Sequence, residues 1–186
     1  MVVAILALLV AILLPALSRI RQQSRRTACM SNLHQLGNAV ESYRHSNGER
    51  FPIACSIPPP FGEPGLPAPA LYIALQRELP RESRAYACPG DLGYVHAKCG
   101  ISYLYVTNLS GLRPEETPFH RVLKATLQDI PVAFDMDGFV EETTRASVPF
   151  FHIRRNLLFA DGHVGEYRLH ATDPTPPPPT TPSENP

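Results

Sequence analysis

The sequence has no excess of charge of either sign. Its 17 basic residues are balanced by 17 acidic residues, so overall charge does not indicate a nucleic-acid partner. No two of its four cysteines, Cys29, Cys55, Cys88 and Cys99, lie two to four residues apart, which excludes the usual spacing of a zinc motif. A Ser-His-Asp order, a Gly-rich phosphate loop and a recognisable pair of catalytic carboxylates are also lacking. We therefore expect no nucleic-acid binding, no cofactor and no enzymatic activity.

Charged and hydrogen-bonding side chains are absent from residues 1–17, which are Val, Leu, Ile and Ala with one Met and one Pro. As a helix, this segment would span about 26 Å, just short of the ~30 Å hydrocarbon core of a bilayer. It is predicted to be the transmembrane half of an N-terminal helix, in contact with membrane lipid.

Residues 18–47 are predicted to continue the same helix outside the membrane. Ser18 to Arg26 carries four arginines and no acid, as expected at a membrane edge. Apolar or small residues then recur with the i, i+3, i+4, i+7 spacing of an amphipathic helix, at Leu33, Leu36, Gly37 and Val40. Gly48 offers a left-handed cap, so the helix is expected to end near residue 47.

Residues 48–172 leave about 125 positions for one modest globular core. A short helix is predicted at 71–79, strands at 101–106, 131–135 and 148–152, and a β-hairpin at 156–169. The hairpin is expected to turn at Asp161-Gly162 through a type I′ turn. The predicted fold is α+β, with the long helix packed on a small antiparallel sheet, followed by a disordered Pro-rich tail at 173–186.

The four cysteines allow three complete pairings, and their spacing does not choose among them. One or two disulfides are expected if the globular part lies outside the cytosol. The most local pairing, Cys88 with Cys99, is the one we predict.

The N-terminal helix carries the features of a known family. An apolar segment at the extreme N-terminus contains Pro15 near its end, arginines follow, and the amphipathic half reads Cys29-Met-Ser-Asn32-Leu33-His-Gln35-Leu-Gly37. In these features the chain resembles the prepilin-like proteins, which are the pseudopilins of type II secretion and type IV pilus systems.

The C-terminal half resembles one subgroup of that family, in which a His precedes an Asp-Gly hairpin. The matching residues are Cys88 and Pro89, Ser102 and Tyr103, His152, and Asp161, Gly162 and His163. Eight residues separate His152 from Asp161, one fewer than is usual in the subgroup.

The resemblance implies a pilin-like fold and a structural role. It implies a single-pass inner-membrane protein with its globular domain in the periplasm, assembling through its N-terminal helix with other pilin-like subunits and the secretion or pilus machinery. The arginines after the span would instead place the domain in the cytosol by the positive-inside rule, but we expect the family arrangement. The alternative function is a membrane-anchored periplasmic binding module that uses the sheet and the Pro-rich segment at 58–69.

The family pattern also implies a leader before residue 1. A basic segment, a Gly at the cleavage site and Phe-Thr-Leu-Ile-Glu normally precede the apolar run. We expect the true start to lie upstream, in which case a prepilin peptidase would process the chain. The alternative is a product that is not processed.

Acidic residues and histidines offer weak metal or catalytic candidates. Asp135-Met-Asp137-Gly138 resembles the start of haloacid-dehalogenase-like phosphatases, but too little chain follows for their later motifs, and a turn between strands is expected. The same two acids could bind Ca²⁺ with Glu141 and Glu142, although a solvated acidic turn is favoured. A further candidate cluster consists of His120, His152, Asp161 and His163, for which hydrogen bonds at turns and strand edges are the expected role.

Overall fold

A computed structural model describes residues 2–61, 68–138, 148–152 and 154–166, and the side chains of the first helix from residue 13 onward. The predicted tail at 173–186, Glu141, Glu142 and part of the Pro-rich segment at 58–69 lie outside this description.

The chain begins with one long helix, α1, which runs from Val2–Ser46 with Pro15 inside it. Gly48 follows with a φ of +64°, and the amide of Glu49 donates to the carbonyl of Arg44, so the predicted left-handed end is confirmed. Among the described residues, no helix combines the length and the apolar character needed to cross a membrane. The predicted span at 1–17 falls largely on side chains outside that description.

Four antiparallel strands form one sheet in the order β1-β2-β3-β4. They are β1 (Tyr103–Tyr105), β2 (Pro131–Asp135), β3 (Asn156–Phe159) and β4 (Val164–Glu166). Tyr103 pairs with Asp135 across β1 and β2, and Asn156 pairs with Glu166 across β3 and β4. The prediction of an α+β fold with a small antiparallel sheet is confirmed.

The β3–β4 hairpin is confirmed, but its predicted turn type is wrong. Gly162 has a φ of +87°, whereas Asp161 does not adopt the positive φ that a type I′ turn requires. The amide of Gly162 donates to the carbonyl of Phe159, and the amide of Phe159 donates to the carbonyl of His163. The loop therefore holds three residues and needs one left-handed position, which glycine fills.

Three shorter helices follow α1, and two of them precede β1 while the third lies between β1 and β2. They are α2 (Leu71–Ala74), α3 (Tyr94–Cys99) and α4 (Pro118–Leu123). The helix predicted at 71–79 is thus shorter than expected and ends at Ala74. The strand predicted at 101–106 is also shorter and comprises only β1. The strand predicted at 148–152 is wrong, because this segment has no regular secondary structure.

The core lies between α1 and the sheet. Leu33, Leu36 and Val40 on α1 are buried, as their spacing predicted, against a cluster that includes Leu158 on β3 and Tyr105 on β1. α1 therefore both supports the globular domain and extends beyond it.

Gly37 lets the hairpin approach α1 closely. A Cβ added at Gly37 would lie 2.8 Å from Leu158 Cδ1 and 3.3 Å from Gly162 Cα. We expect Gly37→Val to lower the free energy of unfolding by about 2 kcal/mol, because the hairpin backbone must move to admit the side chain.

Asn38→Val is the matched control, since it adds a β-branched residue at the next, exposed position of the same helix. Urea unfolding of the full chain in detergent micelles measures both variants. Equal stability of the two variants would contradict the close approach.

Candidate functional site

A disulfide joins the long helix to the globular domain. Cys29, on α1, is bonded to Cys88, in the turn after the 3₁₀ segment Arg84–Tyr86, and their Cα atoms are 4.9 Å apart. The predicted pairing of Cys88 with Cys99 is wrong, because Cys99 lies at the end of α3, where its Sγ contacts the carbonyl of Pro58. The docking of α1, rather than nearness in sequence, selects the partner of Cys88.

α1 also contacts the turn that contains Cys88 through hydrogen bonds. The Asn32 side-chain amide donates to the carbonyl oxygens of Ala87 at 2.7 Å and of Arg84 at 3.2 Å. Because Asn32 lies three residues after Cys29, both groups act from neighbouring positions of one helix surface. The sequence identified Asn32 only through the family resemblance, and this contact gives it a structural role.

His152 packs directly against the disulfide. Its Nε2 lies 3.2 Å from Cys88 Sγ, which also accepts a hydrogen bond from the amide of Gly90 at 3.3 Å. A Cβ on Gly90 would lie only 2.6 Å from His152 Cε1, so glycine makes room for the imidazole. Burial, with a smaller contribution from the positive charge of Arg26, lowers the pKa of His152 to about 4.

Asp135 brings a carboxyl group to the same place from the end of β2. Its Oδ2 accepts hydrogen bonds from the backbone amide of Asn156 at 2.9 Å and from the Asn156 side chain at 2.8 Å. Its Oδ1 is buried and has no hydrogen-bond partner among the described residues. Burial, reinforced by the nearby charge of Asp137, raises the pKa of Asp135 to about 7.

These groups converge at one point in the interior. The Sγ atoms of Cys29 and Cys88, one carboxylate oxygen of Asp135 and one ring nitrogen of His152 all lie within 4.8 Å of one another. All four residues are buried. The imidazole nitrogen, the carboxylate oxygen and, after reduction of the disulfide, the two thiolate sulfurs are potential metal-ligand atoms, so this cluster is the candidate functional site.

Arg26 and Asn156 border the cluster, although no sequence pattern selects them. The guanidinium of Arg26 donates to Asn156 Oδ1 at 3.2 Å and forms an ion pair with Glu166. Asn156 thus connects the arginine on α1 to the carboxyl of Asp135. This chain of contacts depends on the docking of α1 against β3, which has no local sequence signal.

The prediction of a solvated acidic turn at Asp135 and Asp137 is wrong, because both carboxyl groups are buried. Arg155 Nε donates to Asp137 Oδ1 at 2.8 Å, and the amide of Phe151 donates to Oδ2 at 3.3 Å. Asp137 therefore serves as the partner of Arg155. The strand before these acids was predicted correctly, but burial of its C-terminal end was not.

The remaining predicted residues lie elsewhere. Asp161 and His163 bond to each other at the exposed hairpin tip, where the His163 ring stacks on Phe159 with centroids 4.4 Å apart. His120 bonds instead to the carbonyl of Ala125. His120, Asp161 and His163 thus make local hydrogen bonds, as predicted. Of the four residues in the candidate cluster, only His152 lies in the candidate site. Of the other family-motif residues, Leu33, Gly37 and Gly162 are buried, whereas Pro15, Gln35 and Pro89 are exposed.

Asp91 is a third buried acid, and sequence reasoning did not select it as a candidate. It accepts hydrogen bonds from the amides of Val95 at 2.8 Å and His96 at 2.7 Å, and from the Ser102 hydroxyl at 2.7 Å. Its carboxylate therefore caps the start of α3.

Comparison with family models, curated proteins and solved structures finds no match for this chain.

Proposed function

We propose that the chain is a structural, pilin-like subunit that is anchored in the inner membrane and assembles through α1, with its domain in the periplasm. The observation that carries the proposal is that residues 13–25 of α1 are all exposed. They include large apolar side chains, namely Leu13 at 55%, Leu14 at 63%, Leu17 at 43% and Ile20 at 65% exposure. An apolar helix surface of this kind indicates a region that contacts lipid or other helices.

The exposed face of α1 has the spacing of a helix-packing seam. Its positions alternate in steps of four and three residues, at Leu13, Leu17, Ile20, Ser24, Thr27 and Ser31. All of them are exposed. This alternation of four and three residues is the spacing that keeps two helices in register along a common contact. We call these six residues the seam.

The seam points away from the globular domain. At about 100° per residue, its mean direction lies roughly 180° from the buried stripe formed by Leu33, Leu36 and Val40. A second helix can therefore approach the seam without meeting the sheet. The change from Leu and Ile to Ser and Thr along the seam also favours close approach of two backbones, as small residues do between membrane helices.

The seam can be tested by cross-linking in native membranes. We expect Ser24→Cys to give covalent multimers with a short bifunctional thiol reagent. Gln22→Cys is the matched control, because Gln22 is also exposed on the same helix but lies on the other side. The wild-type chain, whose cysteines are buried, controls for background.

Three results would be informative. Multimers from Ser24→Cys and few from Gln22→Cys would support assembly through the seam. Recovery in membranes without cross-links at either position would favour the alternative of an anchored binding module. The cleft of about 370 Å³ beside Pro58, Tyr72 and His96 would be the surface to examine for such a module. Recovery in the soluble fraction would contradict membrane anchoring.

A further inference from the structure

We propose that, once the Cys29–Cys88 disulfide is reduced, the cluster formed by Cys29, Cys88, His152 and Asp135 binds a divalent metal ion of the zinc class. The disulfide and the metal complex would be two alternative links between α1 and the globular domain. This inference is independent of assembly through the seam.

The geometry matches a four-coordinate site. Zinc bonds thiolate sulfur at about 2.3 Å and imidazole nitrogen at about 2.0 Å, so ligand atoms around a tetrahedral ion lie roughly 3.3 to 3.8 Å apart. His152 Nε2 and Cys88 Sγ are 3.2 Å apart, and all four ligand atoms lie within 4.8 Å of one another. Shifts of about 1 Å would complete the site, and breaking the S–S bond allows the two sulfurs to separate.

The unpaired oxygen of Asp135 is an independent indication of a ligand. Buried polar atoms normally have hydrogen-bond partners, yet Oδ1 of this fully buried carboxyl has none among the described residues. Its other oxygen is held by two hydrogen bonds from Asn156. Metal-binding carboxylates are commonly oriented in this way, with one oxygen fixed by a neighbour and the other left for the ion.

The four ligands are supplied by separate parts of the fold. Cys29 is on α1, Cys88 lies in a turn, Asp135 ends β2 and His152 precedes β3. None of these positions forms a short-spaced sequence motif, which is why the spacing of the cysteines did not indicate this site. A metal bound here would link all four segments.

A dithiol reductant supplies the electrons that open the disulfide before the metal binds. The reductant gives two electrons and two protons to the disulfide, which yields the Cys29 and Cys88 thiols, and is itself oxidised to a disulfide. The metal ion then displaces both thiol protons and binds two thiolates, the neutral imidazole and the carboxylate. Thiolate and imidazole ligands favour zinc-like ions over Ca²⁺ and Mg²⁺, which prefer oxygen ligands.

Cobalt(II) is a suitable probe, because its tetrahedral thiolate complexes absorb visible light, whereas zinc, with a filled d shell, gives no visible bands. The full chain in detergent micelles should bind no cobalt at this site while the disulfide is intact. After reduction it should bind one equivalent and develop thiolate-to-cobalt charge-transfer and tetrahedral d–d bands. Identical titrations of the oxidised and reduced chain would overturn the proposal.

Single substitutions can identify which side chains bind the metal ion. Asp135→Ala should weaken cobalt binding by about tenfold or more, whereas Asp137→Ala, which removes a neighbouring buried acid held by Arg155, should not. Cys55→Ser controls for another buried thiol and should leave the bands unchanged. Loss of the bands in Cys55→Ser with retention in Asp135→Ala would place the metal elsewhere.

X-ray absorption of the zinc-loaded, reduced wild-type chain avoids any effect of substitution on folding. Two sulfur and two nitrogen or oxygen ligands are expected. A shell of oxygen or nitrogen alone, or of three or four sulfurs, would overturn the proposal.

Discussion

Removal of the Cys29–Cys88 disulfide in the double variant Cys29→Ala, Cys88→Ala is expected to lower the free energy of unfolding by about 4 kcal/mol. The two cysteines are separated by 59 residues, and closing a loop of this length restricts the unfolded chain by about that amount. The loss should be large relative to the total stability of a single domain of this size. It should appear as a lower urea midpoint under non-reducing conditions.

Cys55→Ala is the matched control for the disulfide variant. Cys55 is buried but lies outside the disulfide, so its replacement removes packing without opening a loop. We expect a loss of about 1 kcal/mol. Treatment of the wild-type chain with a dithiol in the absence of metal should lower its stability to that of the double variant. Equal effects of the control and double variants would show that the link contributes little.

Asp135→Asn is expected to remove a pH-dependent loss of stability. That loss is similar in size to the effect of removing the disulfide. Well below pH 3.8 the carboxyl is protonated in both the folded and unfolded chains. Burial raises its folded pKa from 3.8 to about 7, so the unfolded chain ionises first as the pH rises. The wild-type chain with its disulfide intact should therefore lose about 1.4 kcal/mol of stability per pH unit between pH 4 and pH 7, about 4 kcal/mol in all, from this group.

In Asp135→Asn, the side chain at position 135 does not ionise and so contributes no pH dependence. The stability of Asp135→Asn minus that of wild type should rise by about 4 kcal/mol from pH 4 to pH 8, whatever constant offset the substitution causes. Urea unfolding at one-unit pH intervals measures this difference. Parallel curves for the two proteins would show that Asp135 titrates normally in the folded chain.

His152 provides the opposite contribution. Its pKa is lowered from 6.5 to about 4, so the unfolded chain takes up a proton first as the pH falls, and stability is lost between about pH 6.5 and pH 4. In the wild type, the two groups oppose each other over this range and their effects nearly cancel. Asp135→Asn should uncover the loss from His152, and His152→Gln should uncover the loss from Asp135.

Much of the fold could be predicted from local patterns. The apolar spacing at Leu33, Leu36 and Val40 defines one face of a helix whatever it packs against, and Gly48 favours its end. The run at 131–135 and the Asp161-Gly162 turn were likewise sufficient to locate β2 and the hairpin. These features depend on residues close in sequence, where backbone geometry alone relates one side chain to the next.

The candidate site could be predicted only in part. His152, Cys29 and Cys88 were selected through the family resemblance, but the expected Cys88–Cys99 pair rested on nearness in sequence. Asp135 and Asp137 were expected in solvent, because acids are rarely fully buried. Their burial follows from the docking of neighbouring segments, and Asn156 and Arg155 replace the hydrogen bonds to water.

The sequence by itself determined the long helix, the direction of its buried stripe and the presence of a small antiparallel sheet. Each follows from the period of apolar residues along the chain. Only the tertiary structure decided that Cys29 meets Cys88, that His152 and Asp135 join them, and that the seam of α1 faces away from the domain's core. Those relations depend on how α1 docks on β3, and contacts between residues 59 or more positions apart have no local signal.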